Sequence, residues 1–142
     1  MATKMKKMAA VLFLTAVLFI AAAVPVSAHH FGEHYVEADI YFNYNKFTGK
    51  VTAHATGKVT RHDINVRTFD MYYYLYEVKN DGTEVFIAGE WRQNVNPATK
   101  IVWQSPPQSA SKKYRLRASA WITYGSGSFD AAIPADVYFE PI

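Results

Sequence analysis

Three histidines fall within six positions, His29, His30 and His34, in the segment AVPVSAHHFGEH. Imidazole nitrogen suits Cu(II), which favours nitrogen ligands in a square plane. If the chain is cut after Ala28, His29 becomes the N-terminal residue and offers both its amine and its ring nitrogen to one ion. A second histidine, His54 or His62, would complete a brace. The plainer reading of the same residues is a polar N-terminal tail, since chain termini are usually loosely held.

The residues before His29 make that cut an expectation. Lys4, Lys6 and Lys7 form a positive leader, Met8 to Val24 is apolar apart from Thr15, and Val26-Ser27-Ala28 fits a small-residue cleavage pattern. This order is that of a secretory signal peptide. The apolar stretch falls short of the roughly 20 residues a spanning helix needs, so a helical signal over residues 1–28 is expected to be removed. No membrane span is expected after cleavage. The predicted product is one domain, residues 29–142, secreted and extracellular, from a bacterial source. Three of the 15 basic residues lie in the leader, so the remainder balances the 12 acidic residues and the mature chain carries no net charge. A nucleic-acid role, which calls for a strongly basic domain, is not expected. The chain has no cysteine, so it is held by core burial rather than by disulfides and cannot use thiol chemistry.

Two further groups could do chemistry by binding. In Met71-Tyr72-Tyr73-Tyr74-Leu75-Tyr76, strand alternation puts Tyr72, Tyr74 and Tyr76 on one face. With residues on one face about 7 Å apart, the three rings would form a platform if that face is open, and central-strand packing if it is covered. From Arg92 to Ser128 there are basic residues and no acidic ones. Alternation places Arg115, Arg117 and Trp121 together, a positive face with an indole that could meet an anionic partner. Acidic residues at Glu33, Glu37, Asp39, Asp130, Asp136 and Glu140 could equally neutralise it. Trp91 alternates with Val85, Ile87 and Gly89 and is predicted to be core. Enzymatic motifs are missing: no nucleophile elbow, no zinc-protease helix, no glycine-rich phosphate loop.

The elements that must position these residues are strands. All ten tyrosines, all three tryptophans and seven of the nine phenylalanines follow residue 28, and aromatic side chains suit a pleated, half-buried surface. Val36–Tyr44, Val51–Arg61 and Tyr114–Tyr124 alternate apolar and polar with period two. Turn signals separate them, the clearest being Asn80-Asp81-Gly82-Thr83. The pattern predicts an all-β fold, a single antiparallel β-sandwich of about seven strands.

Tyr114-Arg115-Leu116-Arg117-Ala118 resembles the tyrosine-x-aliphatic-x-small strand of immunoglobulin-like and fibronectin type III domains. That resemblance implies a tyrosine packed at an inter-sheet corner with its hydroxyl bonded to backbone. The terminal histidine resembles the metal end of two exported β-sandwich groups, copper carriers and lytic polysaccharide monooxygenases, and His29 alone carries over. The expectation is a small exported β-sandwich that binds a cell-surface polymer, an extracellular protein or another copy of itself and is not an enzyme. One alternative is a copper-binding protein using the histidine brace. Another is a secreted inhibitor or toxin-like protein.

Overall fold

The computed structural model describes residues 23–33, 36–60 and 65–142, with residues 23–33, 132 and 133 described by backbone alone. Among these residues the chain is all-β, with no helix. The strands are β1 (Ala23–Glu33), β2 (Val36–Asn45), β3 (Lys50–Val59), β4 (Val66–Val78), β5 (Glu84–Val95), β6 (Ile101–Gln104), β7 (Gln108–Ser109), β8 (Lys113–Tyr124) and β9 (Phe129–Phe139). They form two antiparallel sheets. The five-stranded sheet runs β1-β2-β3-β6 with β7 also on β3, and the four-stranded sheet runs β5-β4-β8-β9.

Two strands go beyond those read from alternation. One is the two-residue β7. The other is β1, which pairs with β2 from Ala23↔Asn45 to Glu33↔Val36 and so spans the expected cleavage point. Pro25 is tolerated there because β1 is an edge strand, where a missing N–H can face away from the ladder; the register shifts between Pro25 and Ser27. Residues 1–22, most of the expected signal helix, lie outside the described residues.

Elsewhere the alternation becomes the core. Val36, Ala38, Ile40 and Phe42 from β2 and Val51, Ala53, Ala55 and Val59 from β3 are buried. They face Phe69, Met71, Tyr73 and Leu75 from β4 and Tyr114, Leu116, Ala118, Ala120 and Ile122 from β8. Tyr114 is buried at the start of β8, and its hydroxyl donates to the Ser109 carbonyl at 2.7 Å. Tyr73 reaches across the core so closely that a Cβ on Gly57 would lie 2.7 Å from its hydroxyl oxygen. Only glycine leaves room for that ring, which stacks on Trp103 at 6.1 Å. The Asp81-Gly82 turn forms as expected: Gly82 takes φ +85 and Asp81 Oδ1 accepts from the Thr83 N–H at 2.9 Å.

Trp91 is not core. It is 61 % exposed on the outer face of the four-stranded sheet. The ladder pairs Leu75 with Ala88 but Tyr76 with Phe86, so Ile87 is an extra residue. A bulge of this kind adds one residue to one strand and resets which face follows it. Phe86 and Trp91, five positions apart, therefore share the outer face, opposite Tyr76 and Tyr72.

Candidate binding face

The outer face of the four-stranded sheet gathers both residue groups singled out above. Tyr76 pairs with Arg115 and Tyr74 with Arg117 across β4 and β8, which puts the tyrosine run beside the arginines. The bulged β5 adds Phe86 and Trp91 from the other side. Four rings then form one cluster: Tyr74 to Tyr76 at 6.3 Å, Tyr74 to Trp91 at 6.4 Å, Tyr76 to Phe86 at 5.9 Å and Phe86 to Trp91 at 6.5 Å. These are stacked, tilted and edge-on contacts in the range where aromatic quadrupoles attract. Gly89 lies between the two β5 rings, and a Cβ there would meet the Phe86 ring at 3.2 Å and the Tyr73 carbonyl at 2.6 Å. Phe86 is 49 % exposed, so the cluster faces solvent.

The arginines beside the rings do not present free charge. Arg117 donates from Nε and Nη2 to the two oxygens of Asp136, each at 2.8 Å. Arg115 donates to the same carboxylate at 3.1 Å and to Glu84, and its guanidinium lies 4.7 Å from the centre of the Tyr76 ring. The hydrogen bonds from Arg117 hold the Asp136 carboxyl below the usual carboxylate range. Two arginines are thus matched by two carboxylates, one on β9 and one on β5. Trp121 shares the face but stands apart, stacked on Phe129 at 4.5 Å. Tyr72 donates to Asp70 at 3.1 Å and accepts from Gln93, which fixes it at the margin of the cluster. Phe86 and Trp91 do not stand out as a pair in the sequence because the bulge that brings them onto one face leaves no signature in the alternation.

The proposed metal ligands are placed elsewhere. His54 is on the outer face of the five-stranded sheet, its ring flat against Tyr41 at 5.0 Å. Asn43 Nδ2 donates to His54 Nε2 at 3.1 Å, and the Thr52 hydroxyl lies 3.1 Å from the same nitrogen. Burial pushes its pKa down, favouring the neutral ring that accepts these bonds. It lines an open groove of about 380 Å³ with Asn43, Lys50, Thr52 and Gln104. The backbone of His29 lies in β1 opposite Ile40, with β2 between it and β3. The His29 ring, His34 and His62 lie outside the described residues. Among the described residues no three histidine, aspartate or glutamate side chains converge as a metal site.

Compared with known proteins, the chain matches no protein-family model and no curated protein.

Proposed function

We propose that this chain is a small exported, non-enzymatic binding protein that holds a cell-surface polysaccharide against the outer face of its four-stranded sheet. The observation that carries the reading is the cluster of Tyr74, Tyr76, Phe86 and Trp91, left open to solvent beside arginines whose charge is matched. A contiguous apolar patch on a monomer marks an interaction surface. Its open position on a sheet face suits an extended polymer better than a small molecule, which is usually enclosed in a concave pocket. Tyrosine hydroxyls and guanidinium edges supply hydrogen bonds around the rings, as sugar hydroxyls require. Export rests on the leader and cleavage pattern at residues 1–28. Two packed antiparallel sheets, with a buried tyrosine opening β8 and bonded to the Ser109 carbonyl, support the resemblance to immunoglobulin-like and fibronectin type III sandwiches.

The test is co-sedimentation of the chain with insoluble neutral polysaccharides and with purified cell wall, at low and high salt. Retention that survives high salt is expected, because stacking is not screened as free surface charge is. It should drop at least about tenfold in Trp91→Ala with Tyr76→Ala. Retention on none of these polymers, or retention indifferent to the double substitution in a folded protein, ends the reading.

A further inference from the structure

The four-stranded sheet has two edges with different surroundings. Strand β9 lies against β1. Strand β5 is the other edge, twelve residues long and without proline. A long edge strand offers unpaired N–H and C=O groups as a template for another strand. Natural edges guard against this with charges that point inward, and β5 carries two. Glu90 and Arg92 pair with Tyr73 and Met71, so they sit on the inner side of the strand. Among the described residues neither has an ion-pair partner.

We infer that β5 is a self-pairing edge, and that two copies of this chain associate by antiparallel β5–β5 pairing centred on Trp91. Charge decides the register. If the outer faces of both sheets stay on the same side, residues can meet only in even-sum registers, because a one-residue slip turns every side chain over. Centred on Glu90, the pairing sets Glu90 against Glu90 of the second copy. Centred on Arg92, it sets Arg92 against Arg92. Centred on Trp91, it sets Glu90 against Arg92 on both sides of the two-fold axis, with Trp91 against Trp91 between them. The ladder from Ala88 to Arg92 is free of bulges, so this stretch is straight enough to pair. An isologous contact of this kind is closed by its own two-fold axis and stops at a dimer. The same two charges that repel a misregistered strand attract a second copy in this one. The inference rests on the strand edge and not on what the outer face binds. If both hold, the two ring clusters join across the seam into one longer platform.

Analytical ultracentrifugation of the purified chain and of Glu90→Arg, Arg92→Glu and the double exchange tests this. The unaltered chain is expected to dimerise, and each single exchange to weaken association by about a hundredfold or more through like-charge contacts. The double exchange should restore it to within about tenfold. The decisive arm mixes the two single variants: one then carries two arginines and the other two glutamates, so the mixture should form heterodimers although neither forms homodimers. A chain that stays monomeric at millimolar concentration overturns the inference. So does a dimer whose strength ignores the single exchanges, or a mixture of the single variants that fails to associate. None of these variants alters the outward rings, so polysaccharide retention reports separately on the proposed function.

Discussion

Strands β5 and β8 flank β4 on either side, and both are twelve residues long. Alternation places the faces of β8 correctly along its length, with Tyr114, Leu116, Ala118, Ala120 and Ile122 buried and Arg115, Arg117 and Trp121 turned outward. It places Trp91 of β5 on the wrong face. The difference lies in where the extra residues fall. In the ladders around β8 the register shifts between Val66 and Thr68 on the β4 side, and opposite Ala118–Ala120 on the β9 side, so β8 itself carries none. In β5 the extra residues lie in the strand itself, at Ile87 and again near Asn94, which takes φ +54. A central strand is held by ladders on both sides, whereas an edge strand has one free side and can absorb an insertion. The charges differ too. The β8 arginines are paired, one of them with Glu84 at the start of β5, while Glu90 and Arg92 further along β5 have no ion-pair partner among the described residues.

Removing one large side chain from each strand separates β8 from β5 most clearly. Leu116→Ala on β8 should cost about 2–5 kcal/mol, as large-to-small changes in packed cores do. Trp91→Ala on β5 should cost under about 1.5 kcal/mol, the scale of the aromatic contacts it loses. Urea denaturation measures both. Equal losses would return Trp91 to the core and remove the basis for an aromatic face.

Deleting Ile87 removes the bulge. The ladder would become regular, with Leu75 still opposite Ala88 and Tyr76 opposite Phe86. Both exposed rings should stay outward at a cost of about 1–2 kcal/mol for the lost half-buried side chain. Nuclear Overhauser contacts between the Trp91 and Tyr74 rings should persist. Their disappearance would show that the bulge is needed to aim Trp91.

The smallest effect concerns the paired charge. The folded-state pKa of Asp136 is held low, chiefly by hydrogen bonds from Arg117. The unfolded state therefore takes up its proton first as pH falls. The stability from this pair is complete above the ordinary aspartate range and is lost as pH drops through the lower folded value, below about pH 4. Because the pair is partly exposed, Asp136→Asn should cost only about 0.5–1 kcal/mol at pH 7. The gap between variant and unaltered protein should close on acidification. A gap that stayed constant down to pH 2.5 would mean the asparagine acts through packing rather than charge.

The histidines show what alternation conveys and what it leaves open. His54 is on the polar face of β3 as its spacing predicts, yet its ring nitrogen is taken by Asn43 and Thr52. Nothing in the linear order marks Asn43 as its neighbour, because that contact comes from the β2–β3 register, which sets Tyr41 opposite His54 and Asn43 opposite Thr52. The tyrosine run and the basic strand likewise read as two separate candidates. They share one face because β8 pairs with β4 after the chain has passed through the other sheet.

The features legible along the chain are local and periodic. Side chains alternate across a strand regardless of its partner, and an Asp-Gly pair accepts a positive φ wherever it stands. The all-β class, most of the core and the central hairpin were legible for that reason. The non-local features are set by folding: which strands are neighbours, where a bulge shifts the alternation, and which carboxylate meets which arginine. Counting along the sequence puts Trp91 in the core because it includes Ile87, which has no partner in the ladder, and pairing is a property of two strands that neither sequence carries alone.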